Sequence, residues 1–452
     1  MTVAADPMAD WASSGVVALT GRPDGPPLVP PGLAASRARE LSARIFALTA
    51  GTAAPVRVDG AALLAERAAF TGHSRRGRTS AGGACRLLST SDGWAAVSCA
   101  RPDDPLLLGA LIGTELTGDP WPAVEAWLRD HSGAELAERA TLLGLAAGPV
   151  GPRAAGAALR GAGAAPRVAE AALREACAAP HGPGAALRAT GAARPAAPPV
   201  PRPVDGMLVV DFSALWAGPL CSHLLGLAGA RVVKVETPTR PDGARRGHPG
   251  FYRLLHAGHR SVVLDPDTPS GRHALAALVA AADIVVEASR PRALARFGLD
   301  AQAAVAAGTT WISITAAGRV SDRIGFGDDV AATAGLVARE PDGTPLFCGD
   351  ATADPLTGLT AATLALTDPA DGTGILHDVA MTDVVAATLD GAPQDPHRPA
   401  TVARRTGTGW AVETSEGWVP VARPRRREPA GDAPLMGEHT TEVLRGLGIP
   451  TA

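Results

Sequence analysis

The sequence predicts an α/β protein whose large domain is a parallel sheet of the nucleotide-fold kind, and three features within 207–245 carry that expectation. An apolar, β-rich run at 208–210 reads as a strand. Ala217, Gly218 and Pro219 form a tight break that launches an apolar helix over 220–227. Gly229 and Ala230 end this helix, and 231–235 is a second short strand, which completes one parallel crossover. The helix start beside Gly218 offers unpaired backbone N–H groups suited to a phosphate or carboxylate. The turn lacks G-x-G-x-x-G, so a nicotinamide cofactor loses its main support.

The second strand holds Lys234, the single lysine of a chain whose other basic side chains, histidines apart, are all arginine. In that background Lys234 marks a site, either by touching a ligand or, as the alternative, by pairing with Glu236 or supporting the strand end. The chain has 452 residues, enough for two or three domains, and a net charge of -3, which favours neither nucleic acid nor a charged membrane surface as partner. The N-terminus shows no charged-then-apolar signal, and no apolar run reaches the roughly twenty residues a membrane span requires, so a cytoplasmic protein is expected. The five cysteines lie far apart without a C-x-x-C pair, which argues against a zinc site or a disulfide framework; no metal is expected.

Composition divides the chain. Residues 151–203 are rich in Ala, Gly, Pro and Arg and close on PAAPPVPRPV, so the expected units are 1–180, a linker at 181–204, and 205–452. A turn sequence, PDGPPL at 23–28, is echoed by PDGTPL at 341–346. Alone, such an echo is a common turn.

Several blocks together resemble one family. LVVDFSALWAGPLCSHLLGLAGARVVKVETP, the turn DGAR at 242–245, HRSVVLDPDTPSGR at 259–272, ADIVVEASRPRALARFGLD at 282–300, WISITAAGR at 311–319 and PLMGEHTTEVLRGLGI at 434–449 are similar, in order, to the class III (CaiB/BaiF-type) CoA-transferases. The resemblance implies a CoA-transferase family III fold, with a parallel-sheet large domain and a smaller α+β domain. It also implies an enzyme that moves CoA between a CoA thioester and a carboxylic acid. No permanently bound cofactor is implied; coenzyme A enters as part of the substrate.

The resemblance also names residues. ATADPLTGLTAATLAL at 351–366 matches the stretch that carries the family's nucleophilic aspartate, here Asp354. A carboxylate suits that task, since it can attack a thioester carbonyl and become an aspartyl-CoA thioester. Pro355 biases Asp354 toward an extended loop that opens a helix over 359–366, and helix capping is the alternative role for this side chain. Lys234, Arg245, Arg260, Arg290, Arg292 and Gly218 occupy block positions near CoA, where guanidinium forks suit phosphate; the alternative for each arginine is a solvated surface charge. The family's common Lys-Arg-Ser is His259, Arg260 and Ser261 here.

The N-terminal unit resembles another part of the same family. DWASSGVVALTGRPDGPPL at 10–28 is similar to the segment before the aspartate, and 82–104 and 123–150 to the family's small domain, with Gly82 and Gly83 in the place of its glycine-rich loop. After Leu28 the unit reads VPPGLAASRARELSARIF, with Ala and Ser where a carboxylate would stand. One nucleophile per chain is expected, in a site completed by the small domain of the same chain or of a partner, as a homodimer or an intramolecular pseudo-dimer. Family racemases use a histidine in a "GHD" motif; the matching segment has Phe326 and Gly327, followed by Asp328 and Asp329. Racemisation is therefore the alternative activity, and a catalytically inactive family partner subunit the alternative class.

Overall fold

A computed structural model describes residues 6–151, 200–289, 291–368, 373–390, 398–407 and 409–450. Helices α1 (Pro7–Ser14), α2 (Ala34–Thr49) and α3 (Glu66–Thr71) open the chain. In α2, Ala34, Ala38, Leu41, Ile45 and Leu48 recur at helical spacing and form one buried stripe, while Arg39, Glu40 and Ala43 face solvent. A three-stranded antiparallel sheet, Cys85–Thr90, Gly93–Ser98 and Ala147–Pro149, then packs beneath the helices Asp104–Ile112, Trp121–Asp130 and Gly133–Leu143. This smaller α+β domain has its own core around Leu88, Val97, Leu108 and Leu128.

The large domain is a six-stranded parallel sheet of β1 (Leu208–Asp211), β2 (Arg231–Glu236), β3 (Arg260–Val263), β4 (Ile284–Glu287), β5 (Thr310–Thr315) and β6 (Leu376–Ala380). The strands lie in the order β3-β2-β1-β4-β5-β6, all parallel. That order reverses direction between β1 and β4, and ligands of such sheets sit beyond the strand ends at that point. The crossover from β1 to β2 runs through α4 (Ala217–Leu227), which starts three residues before the expected boundary. Strands β1 and β4 are buried along their whole length, as apolar runs in a sheet covered on both faces must be.

Between β5 and β6 the chain leaves the sheet through α5 (Gly327–Thr333), a hairpin of Val337–Arg339 with Pro345–Phe347, and α6 (Ala353–Ala365). Helix α6 is buried on nearly every side. Its threonines Thr357, Thr360 and Thr363 stay satisfied there by donating to the carbonyls of Ala353, Leu356 and Leu359 at 2.7, 2.9 and 2.9 Å. Gly358 lets α4 approach, since a Cβ there would lie 2.7 Å from the Ala217 carbonyl oxygen. The same core joins Trp11 and Ile45 of the N-terminal unit to Leu356 and Leu359 of α6, so α1 and α2 pack with the large unit. The stretch expected as a linker lies outside the described residues at 181–199; Arg202 and Val204 are buried, and Arg202 donates to the Thr310 hydroxyl. At the C-terminus, Arg404–Thr406, Gly409–Thr414 and Gly417–Pro420 form a small antiparallel sheet, and a helix at Thr440–Gly446 closes the fold.

Candidate active site

Asp354 lies in the first turn of α6, two residues after its cap position Thr352. The expected extended, pre-proline loop is therefore replaced by helix. Pro355 costs little at this point, because the first four N–H groups of a helix have no intrahelical acceptor to lose. Asp354 does not act as a cap, and among the described residues its carboxylate accepts no hydrogen bond. It is half-buried against Gly327 of α5, so close that a Cβ on Gly327 would fall 2.2 Å from Asp354 Oδ2.

The turn that delivers Asp354 is strained. Ala351 takes φ 50°, one of two non-glycine residues with left-handed backbone among those described; the other is Leu215, after β1. The Asp328 carboxylate holds the turn by accepting from the Ala351 N–H at 2.8 Å. Asp329 is fully buried and accepts from the Phe326 N–H at 2.8 Å and the Ser98 hydroxyl at 3.2 Å, which pins α5 to the small domain.

Arg67, at α3, brings the cation. Its Nε and Nη2 grip both oxygens of Asp350 at 3.0 and 2.5 Å, and His73 Nδ1 lies 3.3 Å from the same carboxylate. The guanidinium carbon stands 5.2 Å from the ring centre of Trp216, the residue just ahead of α4. Gly82 adjoins both: a Cβ on it would meet His73 Cε1 at 3.5 Å and Arg67 Nη2 at 3.8 Å. Four carboxylates, Asp328, Asp329, Asp350 and Asp354, thus share a region with Arg67, next to the turn of the β1–α4 crossover.

Ionisation follows from this crowding. Burial pushes the Asp354 carboxyl up to about 7, with Arg67 opposing the rise and Asp328, Asp329 and Asp350 adding to it. Asp328 and Asp329 are pushed up to about 6, again chiefly by burial, against the pull of Arg67 and Arg323 respectively. Asp350 is also buried, yet the Arg67 fork holds it well below the usual carboxylate range.

Of the residues expected around CoA, Lys234 and Arg245 are taken up by contacts within the fold. Lys234 is 1% exposed and its ammonium is committed, donating to the Ser213 carbonyl at 2.8 Å and pairing with Asp242 at 2.9 Å, with Asp211 beside it in the neighbouring strand. It braces the strand end as the alternative reading held, although its partner is Asp242; Glu236 instead takes a bidentate grip from Arg245. Replacing Lys234 by Met is expected to lower stability by about 3–5 kcal/mol, because Asp211 and Asp242 would remain buried without their cation; urea unfolding at pH 7 measures it.

Arg245 is further occupied by the Tyr252 ring and the Pro434 carbonyl, so its fork faces inward. Gly218 is a packing residue: a Cβ there would land 2.1 Å from Ser213 Cβ, and the buried Trp216, Ala217 and Pro219 around it leave the helix start closed rather than open to an anion. Arg260 and Arg292 are more than half exposed, in loose pairs with Glu442 and Asp322 that a phosphate could displace. Arg290 lies outside the described residues. Sequence reasoning missed Arg67, His73 and Asp350. The pairing that defines them joins residues 283 apart, and no local spacing announces it.

Comparison with known proteins gives the family. The profile of CoA-transferase family III matches residues 204–440, more than half of the chain. The succinate–glutarate CoA-transferase of Agrobacterium fabrum (strain C58 / ATCC 33970) is 33% identical over 211 residues, which are 41% of this chain and 53% of that protein. The succinyl-CoA–D-citramalate CoA-transferase of Chloroflexus aurantiacus is 29% identical over 46% of this chain and 56% of its own length. The chain thus spans about half the length of the curated relatives it matches. Among solved structures, a CaiB/BaiF family protein from Brucella suis aligns with a TM-score of 0.41 and 27% identity, over 48% of this chain and 65% of that one. By the extent of the profile match, the chain belongs to family III of the CoA-transferases.

Proposed function

We propose that the chain transfers CoA between a CoA thioester and a carboxylic acid, with Asp354 as the covalent nucleophile. The observation that carries this reading is a half-buried carboxylate that accepts no hydrogen bond among the described residues, set just after the strained Ala351 and under the charge of Arg67. An Asp354 oxygen attacks the thioester carbonyl, the C–S bond breaks, and CoA leaves as thiolate. The thiolate then attacks Asp354 Cγ in the mixed anhydride and releases the donor acid, leaving an aspartyl-CoA thioester. The acceptor acid attacks that carbonyl, and the thiolate, released again, takes the new acyl group and returns Asp354 to its free form. Among the relatives, names citing succinate, glutarate and citramalate favour a dicarboxylic acid and succinyl-CoA as first substrates to try.

The N-terminal unit supports a single nucleophile per chain. A shift of 318 residues, the separation of the ion-paired Arg22 and Glu340, lays the two PDG turns over one another. The same shift sets α2 over α6, Asp10 over Asp328 and Ser36 over Asp354. In that copy Ser36 Oγ donates to Asp10 at 2.6 Å and Arg39 pairs with the same carboxylate at 2.6 Å, so the corresponding place is closed by its own contacts. Arg67, His73 and Gly82 come from the N-terminal unit of the same chain, which favours completion in cis, as an intramolecular pseudo-dimer.

The test is intact-mass analysis after incubation with succinyl-CoA and hydroxylamine. A hydroxamate at Asp354, absent from Asp354→Ala, is expected; unchanged transfer by Asp354→Ala overturns the nucleophile. A second reading has one observation in its favour, the raised carboxyl of Asp328 near Asp354, which could serve as an acid/base pair for racemisation. Solvent deuterium entering the α-carbon of an acyl-CoA distinguishes it.

A further inference from the structure

We infer that Arg67 is a positioning residue for the nucleophile: gripping Asp350 with two nitrogens, it is the cation that lets Asp354 lose its proton and stay aimed at the thioester. This deepens the reading of Asp354 above and rests on it.

The geometry has three parts. Asp350 and Asp354 flank the strained residue Ala351 at the start of α6, so whatever fixes Asp350 also fixes the turn that carries Asp354. Arg67 fixes Asp350 through both of its oxygens, and a planar fork does this where a lysine, a point charge, does not. Trp216 and the Gly82 backbone approach the guanidinium from other sides and limit its movement, while about a quarter of the side chain stays exposed.

Charge gives the arrangement its purpose. The groups facing the nucleophile are Asp328 and Asp329 from α5, Asp350 from its own helix entry, and Arg67; His73 faces Asp350, and Arg323 faces Asp329. Asp350 consumes most of the Arg67 fork, and Asp354 receives the charge without a hydrogen bond. A nucleophile needs that balance, because a carboxylate locked in its own salt bridge would be a poor attacker, whereas one with no cation near would remain protonated.

The experiment titrates Asp354 in the full-length protein labelled with [13Cγ]aspartate, its signal identified by difference from Asp354→Asn. The parent midpoint is expected near 7. Arg67→Met is expected to raise it by about one pH unit or more, and Asp350→Asn to lower it, because the latter removes a neighbouring negative charge and keeps the cation. Arg67→Lys keeps the charge and is expected to hold the midpoint within about half a unit while losing rate.

Transfer from succinyl-CoA by Arg67→Met should fall by more than about fivefold at pH 7, where ionisation alone drops from about half to about a tenth, and at pH 9 should recover only that ionisation share, to about the rate of Arg67→Lys. An unmoved midpoint in Arg67→Met overturns the role of Arg67. Should that variant fail to fold by circular dichroism, an unmoved or raised midpoint in Asp350→Asn overturns it instead. Transfer at the parent rate by Asp354→Asn overturns the nucleophile, and the role with it, whatever the titrations give.

Discussion

Asp354→Asn is expected to fold more stably than the parent at pH 8 and to transfer no measurable CoA. The loss of activity follows from removing the attacking oxygen; side chains that form the covalent bond cost about 10⁴-fold or more when replaced. The gain in stability follows from linkage. The Asp354 carboxyl titrates near 7 in the folded protein and near 3.8 without the fold, so the folded state binds its proton more tightly. Its contribution to stability is therefore fully present below about 3.8, falls as pH rises, and is lost by the time pH has passed through about 7.

The difference is worth at most about 4 kcal/mol, and partial exposure of the carboxylate reduces it to about 1–2 kcal/mol. Asparagine carries no such cost. Urea denaturation at pH 5 and pH 8 should show parent and variant converging at the lower pH and separating at the higher one. A variant no more stable than the parent at pH 8 would mean that the carboxylate is not held in the crowded, buried setting described. In the parent, the transfer rate should rise with pH through about 7 as the nucleophile ionises.

Gly327→Ala is the second large effect. The new methyl carbon would sit 2.2 Å from Asp354 Oδ2 and 2.7 Å from both Ala351 Cβ and the Ala351 carbonyl oxygen. One of these contacts is main chain on a strained turn, so the conflict is relieved mainly by displacing Asp354. A displacement of about 1 Å at a reacting atom costs about 100-fold in rate. kcat should fall by that order, and the KM for acyl-CoA should move little, because the atoms the new methyl meets belong to Asp354 and Ala351 and not to Arg260 or Arg292. Stopped-time assays with succinyl-CoA would separate the two constants, and a parent-like kcat would place the chemistry away from Asp354.

The crossover at 207–245 was legible because its signals are local. A β-branched run, a Gly-Pro break and an apolar helix each act within a few residues, and the strand, helix and strand lie there within three residues of expectation. Asp354 was legible only through family resemblance, since its spacing fits a helix cap as well as a nucleophile. Lys234 shows the limit of composition. Its uniqueness singled it out in the sequence, whereas the structure shows its ammonium among the buried carboxylates Asp211 and Asp242, brought together by strand pairing and a later loop. Arg245 followed the same course, drawn inward by Glu236.

The amino-acid order by itself determined the α/β class, the parallel crossover and the small α+β domain, because each rests on periodicity, turn chemistry or a contiguous motif. Only the tertiary structure decided the strand order β3-β2-β1-β4-β5-β6, the union of α2 with α6 in one core, and the pairing of Arg67 with Asp350. These depend on contacts between segments distant in the chain, where burial and charge pairing select the partners and no short-range pattern records the choice.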